Sequence, residues 1–228
     1  DKQQLASQTW KAADKMRSSL DANDYKDLIL GLMLYKFLSE REAEFFLGNE
    51  IPYDQLSGEI AASKPRRVAM AQASLGYFIG HNDLFSTWGK EPLGTQTVMI
   101  TEAALAFDAQ VKPEYRSIFN EIFSPLASVV PKLGTDSITQ AKKLRGLIRI
   151  VHDIPTGSKQ NYVVLGYVYE YLISHFAANA GKSAGEFYTL HQVALVMAEI
   201  VGHHLRGRKE IQVYENSLNL DRLRALSV

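Results

Sequence analysis

Not one cysteine occurs in the 228 residues of this chain, which removes disulfide bonds and thiolate chemistry and fits a reducing, cytoplasmic setting. A long hydrophobic run is missing too. The longest, Leu28 to Leu38, is interrupted by Lys36 and is too short to span a bilayer. No cationic start leads into an apolar export segment. Charge of one sign is not in excess, since lysine plus arginine and aspartate plus glutamate number 25 each. A chain so balanced carries no global field toward a nucleic acid or a membrane surface, so a polyanion must be met locally or with a partner's help. There is no internal repeat and no low-complexity tract.

What is present is a globular composition, 46% hydrophobic and 22% charged, long enough to bury one good core or two modest ones. Its periodicity is helical. Trp10, Ala13, Met16, Arg17 and Leu20 recur at three-and-four spacing, which predicts an amphipathic helix over about 5–20. Asn23 or Asp24 is the expected cap of a second helix, YKDLILGLMLYKFLSEREAEFF, whose apolar residues cover nearly the whole circumference and place it deep in a bundle. Residues 48–67 mix Pro, Gly, Ser and charge without a period and predict an irregular connection. Two helices are expected at about 97–110 and 113–123, the second opened by Pro113 and stopped by Ser124-Pro125. A further helix over about 137–151 puts Ala141, Leu144, Leu147, Ile148 and Val151 on one face, with Lys142, Lys143 and Arg149 largely away from it. Residues 153–160 form a turn-rich linker. The next helix, VLGYVYEYLISHFAANAG, has Gly181 as its terminating residue. It is followed by AGEFYTL, a helix through about Leu205, and a strand-like IQVY at 211–214.

Several chemical motifs fail on inspection. Gly181-Lys182-Ser183 is the tail of a phosphate-binding loop, but the glycine needed five positions earlier is Phe176, and a helix precedes it where a strand is required. His203 and His204 are adjacent, so on a helix they point apart, and no carboxylate at useful spacing joins them as a metal ligand. They suit the negative end of a helix dipole at a surface. Arg206, Arg208 and Lys209 read as a solvated last turn. No nucleophile-elbow glycine pattern marks a Ser, His and Asp set.

GEFYTL remains, and it has two readings. Thr189 is a natural N-cap for a helix carrying Val193, Val196, Met197 and Ile200, with Phe187 and Tyr188 packed on a core. Alternatively, the helix start offers free backbone donors to an anionic ligand group, with aromatic rings beside it to stack on. Composition does not choose between them.

The words around this motif resemble a known family. LGYVYEYLISHFAANAGKSAGEFYTLHQV is similar to the segment that leads into the catalytic domain of the modification subunit of type I restriction-modification systems, a DNA adenine methyltransferase. That family reads L-G-x-x-Y-E-Y-L-I, then small residues, then G-E-F-Y-T-P. The matching positions here are Leu165, Gly166, Tyr169, Glu170, Tyr171, Leu172 and Ile173, then Gly185, Glu186, Phe187, Tyr188 and Thr189. TWKAADKMRSSLDANDYKDLILGLMLYKFLSER resembles the helical N-terminal region of the same subunits, and LGYFIGHNDLFSTW and Pro131 to Gly134 (PKLG) fall where that family has similar words. Together the matches span most of residues 7–214.

Two departures stand out. The family's proline after the threonine is Leu190 here, which gives up a pre-set backbone angle but keeps the cap. The strand that IQVY resembles runs, in the family, into a D-P-x-x-G-S-G loop for the methyl donor, whereas this chain continues ENSLNLDRLRALSV without a glycine. The N-P-P-[YF] motif that orients the target amine is also missing, so no catalytic residue is assigned. Either the chain stops after the helical region, or a long stretch after about Tyr214 is not included in it.

The resemblance implies a mainly α chain: a helical N-terminal domain over 1–155, then over 156–228 the lead-in helices and first strand of an incomplete α/β, Rossmann-like methyltransferase domain. It implies a parent protein that methylates the adenine N6 amine of flipped-out bases in duplex DNA with S-adenosylmethionine, this chain alone being inactive. Glu186, Phe187, Tyr188 and Thr189 would line the methyl-donor side of the pocket, and no metal is implied. The implied partners are a specificity subunit, a restriction subunit, duplex DNA and a second copy of the same subunit, with no membrane. Near-zero net charge agrees with sequence reading being delegated to another chain. The alternative is a non-catalytic helical module for subunit assembly or DNA clamping.

Overall fold

The structure, a computed structural model, describes residues 2–16, 20–48, 65–88, 96–156 and 159–179, together with positions 196, 197, 199, 200, 203 and 204. The chain divides into two compact units, Asp1–Leu172 and Ile173–Val228. Among the described residues every regular element is helical. The strand expected at 211–214 lies outside them, as do Gly181 and residues 49–64 of the irregular connection expected over 48–67, whose two ends, Gly48 and Pro65–Arg67, are helical instead.

Helix α1 spans Lys2–Met16. It starts earlier than its period predicts, and it buries Ala6, Thr9 and Ala13 along one stripe; residues 17–19 lie outside the described ones, and Leu20 is buried. Helix α2, Ala22–Gly48, is capped by Asp21 rather than by Asn23 or Asp24. The Asp21 carboxylate accepts the amide hydrogens of Asn23 at 2.8 Å and of Asp24 at 2.9 Å, satisfying two of the orphan donors of the first turn. As its apolar circumference predicts, α2 is the central post, with Tyr25, Leu28, Ile29, Leu32, Tyr35 and Leu38 buried in succession. The Tyr25 hydroxyl donates to the Ala13 carbonyl, tying α1 to α2.

Helix α3, Pro65–Leu75, opens at a proline and closes at Gly76, whose φ of 88° only glycine adopts without strain. A Cβ at Gly76 would sit 2.5 Å from the Tyr115 ring. An extended stretch and a 3-10 turn lead to the short α4, Phe85–Trp88, and then comes α5, Gln96–Ala109. The single helix expected over 113–123 is broken. A 3-10 turn at Pro113–Tyr115 and α6 at Arg116–Phe119 end in a tight turn with Glu121 at a φ of 55°, a left-handed residue that no continuing helix contains. Ser124-Pro125 then starts a helix instead of stopping one. It opens α7, Ser124–Val129, with the proline in the first turn, where its missing donor costs nothing.

Helix α8, Ser137–His152, buries the predicted Ala141, Leu144, Leu147, Ile148 and Val151. Its cap is Asp136, which accepts the amide hydrogen of Thr139 at 2.8 Å and the Thr139 hydroxyl at 2.7 Å. In the first unit, α2 packs on α3, α4, α7 and α8, α5 packs on α4, α7 and α8, and α1 packs on α8. Aromatic rings fill the centre. Tyr35 stacks on Trp88 at 4.5 Å, and Phe123 presents its edge to Tyr35 at 4.8 Å and to Phe107 at 4.9 Å. A smaller cluster of Phe46, Ala71 and Phe78 closes the far end of α2. Helix α9, Lys159–Asn179, runs through the residue pair at which the two units meet in the chain. No helix among the described residues is long and apolar enough to cross a membrane.

Candidate functional site

The polar residues of α2 are too regularly placed, in a helix buried on nearly every side, to be incidental. Tyr35, Ser39 and Glu42 recur at four and three residues and so form one stripe, while Lys36 and Glu40, four apart, form a second beside it.

The first stripe pins the extended stretch after α3. Glu42 accepts the Ile79 amide hydrogen at 2.7 Å, Ser39 accepts that of Phe85 at 3.1 Å, and the Tyr35 hydroxyl donates to the Asp83 carbonyl at 3.0 Å. In return, Tyr77 donates to the Leu38 carbonyl of α2 at 2.9 Å. An irregular segment buried against a helix has backbone donors that no ladder satisfies, and these side chains replace the ladder. Burial pushes the Glu42 carboxyl well above its ordinary range, against the opposing pull of the Ile79 amide. Burial also raises the Tyr35 phenol, with the charges of Asp83 and Glu42 adding to it. Asp83 is raised by burial and then by the charge of Glu102.

The second stripe reaches across the chain. Lys36, 3% exposed, donates to the Ile154 carbonyl and, at 3.3 Å, to the Thr156 hydroxyl, and it pairs with Glu40 at 3.1 Å. Thr156 completes the ring by donating its hydroxyl to the other Glu40 oxygen. Sequence reading treated Lys36 only as the charge interrupting an apolar run. The overlooked signal was that a lysine buried in such a helix requires a partner, and Glu40 stands at the right spacing. With their charges and lone pairs already engaged in holding backbone, both stripes are suited to fixing irregular segments rather than to proton transfer.

The family-like word on α9 lies partly in view. Leu172 is buried, and Tyr169 is half-buried, its phenol pushed up to about 12 by burial and then by the charge of Asp27. Lys2 lies 4.9 Å above the Tyr167 ring. The expected donor-side residues Glu186, Phe187, Tyr188 and Thr189 lie outside the described residues, as does the tail of the phosphate-loop pattern, 181–183. His203 and His204 are exposed and helical. Val196, Met197 and Ile200, expected on the helix that Thr189 would cap, are helical and are 55%, 56% and 64% exposed. No group of three or more His, Asp or Glu among the described residues is placed to hold a metal ion.

Known proteins carry the same pattern. A family described as the HsdM N-terminal domain matches residues 5–125, and one described as N-6 DNA Methylase matches residues 160–217. The chain is 29% identical over 207 residues to the type I restriction enzyme MpnII methylase subunit of Mycoplasma pneumoniae, a match that takes in 84% of this chain and 38% of that protein. It is 23% identical over 204 residues to the MjaIX methylase subunit of Methanocaldococcus jannaschii, covering 87% of this chain and 35% of the relative. The chain therefore spans less than two fifths of the length of these relatives. In fold it is similar to the crystal structure of a type I restriction-modification methyltransferase subunit from Streptococcus thermophilus, with a TM-score of 0.70 at 24% identity, over 93% of this chain and 46% of that one.

Proposed function

Because this chain belongs to the HsdM N-terminal domain family, whose match takes in more than half of its 228 residues, we propose that it is the leading part of a type I modification subunit. The whole subunit transfers a methyl group from S-adenosylmethionine to the N6 amine of adenine in duplex DNA, in the cytoplasm. The observation that carries this reading is the tandem order of the two family matches on one chain, the helical one first and the methylase one from residue 160 onward. In this reading 1–155 is the helical domain and 156–228 the lead-in helices and first strand of an α/β domain. The exposed Val196, Met197 and Ile200 then belong to the face that the rest of that domain covers.

S-adenosylmethionine supplies the methyl group. Glu186, Phe187, Tyr188 and Thr189 suit its donor side by their chemistry: a capped helix start presents amide hydrogens to the methionine carboxylate, and two rings offer faces for the remainder. The partners are a specificity subunit that reads the DNA, a restriction subunit and a second modification subunit. The balanced charge of this chain fits that division of labour.

Calorimetry with S-adenosylmethionine tests the reading. The complete subunit binds it and the 228-residue chain alone does not. Absence of binding by the complete subunit overturns the assignment. The helical domain by itself has a second reading, a module for subunit assembly or DNA clamping. The exposure of Val98 and Leu105, 57% and 60%, which stand seven residues apart on one side of α5 with the exposed Glu102 between them, favours assembly, since burying apolar side chains against a partner removes them from water.

A further inference from the structure

Resting on the reading above, we propose that Lys36 is a positioning residue: buried itself, it forms with the buried Thr156 and the partly exposed Glu40 a clasp that fixes the chain immediately ahead of α9. The clasp belongs to the helical domain, and what it holds is the approach to the methylase match. Lys36 and Glu40 lie on α2, inside the first family match, while Ile154 and Thr156 end the turn after α8, and the second match begins at residue 160, one residue into α9.

Three features set this group apart from ordinary core packing. The contacts join residues 116 to 120 positions apart in sequence. They form a closed ring in which the lysine donates to a carbonyl and a hydroxyl, the hydroxyl donates to the glutamate, and the glutamate pairs with the lysine. The two buried members, Lys36 and Thr156, both have partners, as buried polar groups require. Thr156 is 4% exposed, although His152 and Asp153 a few residues earlier lie on the surface. The turn therefore dives into the core at the point where Lys36 reaches it. Stability alone does not call for a charge at Lys36, because an apolar side chain of similar volume serves at least as well at a buried position. A charge-assisted ring does provide direction. Its bonds tolerate one geometry of the 154–156 backbone, and the first turn of α9 follows three residues later.

Hydrogen exchange and steady-state kinetics on the intact subunit, in complex with its specificity partner, test the clasp. Thr156→Val keeps the side-chain shape and removes the hydroxyl. The amides of residues 161–172 then exchange roughly tenfold faster, the effect of losing one buried hydrogen-bonded group, while the amides of α5 and α8 keep their protection. The kcat for methyl transfer falls and the KM for S-adenosylmethionine does not move. Thr156→Ser restores both. Unchanged exchange over 161–172 overturns the clasp, and faster exchange with an unchanged kcat overturns its positioning role. If exchange rises but the intact wild-type subunit transfers no methyl group, the proposed function has failed and the clasp has not. Should Thr156→Val fold poorly, the double variant Lys36→Met, Glu40→Leu, which replaces the ion pair by apolar side chains, carries the same comparisons.

Discussion

The Glu42 carboxylate accepts the backbone amide hydrogen of Ile79 at 2.7 Å in a site closed to water. Burial raises its proton affinity above that of an unfolded glutamate. Between the unfolded and folded pKa values the native state therefore holds a proton that the unfolded chain has released, and stability falls as pH rises through that window. Glu42→Gln keeps an acceptor for Ile79 and removes the titration. The stability of the variant relative to wild type should therefore grow with pH above about 4.5, by at most about 1.4 kcal/mol per pH unit, the value of one proton. Urea unfolding of both proteins at several pH values measures it, and parallel pH profiles would refute it.

Gly76 and Gly166 should respond in opposite directions to alanine. Gly76 ends α3 at a φ of 88°, with the Tyr115 ring 2.5 Å from where a Cβ would sit. Its substitution should cost at least about 1–2 kcal/mol from the backbone alone. Gly166 lies exposed within α9 with nothing within 4 Å of an added Cβ, so alanine there should stabilise by about 0.5–1 kcal/mol. Denaturant midpoints of the two variants decide both.

The cap of α8 gives a prediction in acid. Hydrogen bonds from the Thr139 hydroxyl and amide hold the Asp136 carboxyl below its ordinary range. A lowered carboxylate adds stability that is present above the unfolded value and is lost as pH falls through the folded one. Asp136→Ala should lower the melting temperature at pH 7, whereas Asp136→Asn, also a good cap, should keep most of it and lose less on acidification. Thermal scans at pH 7 and near pH 3 compare the three.

Local periodicity made much of the helical domain legible. The buried face of α8 and the all-round burial of α2 follow from the spacing of apolar residues. The misses share a cause, which is that a side chain's partner decided the outcome. Asp21 caps α2 because its carboxylate reaches two amides, and the 113–123 segment breaks at Glu121, whose own amide is taken by the Asp108 side chain at 3.0 Å. Lys36 and Glu42 act on segments far along the chain, and no window of sequence contains both ends of such contacts. GEFYTL lies outside the described residues, and its assignment to the methyl-donor side comes from its resemblance to a family.

In the complete subunit, replacing Phe187 and Tyr188 by alanine should weaken S-adenosylmethionine binding roughly tenfold, about the worth of one aromatic contact, with little change in melting temperature. Calorimetry and a thermal scan on the same preparation check it. Unchanged affinity with lower stability would instead assign both rings to a packed, capped helix.

The most direct test of the central claim is the product of the reaction. The complete subunit, assembled with its specificity partner, is incubated with methyl-labelled S-adenosylmethionine and duplex DNA, and the DNA is digested to nucleosides for mass spectrometry. The label should appear in N6-methyl-2′-deoxyadenosine and in no other nucleoside. Label on cytosine, or a complex that binds the donor yet leaves adenine unmodified, would contradict it.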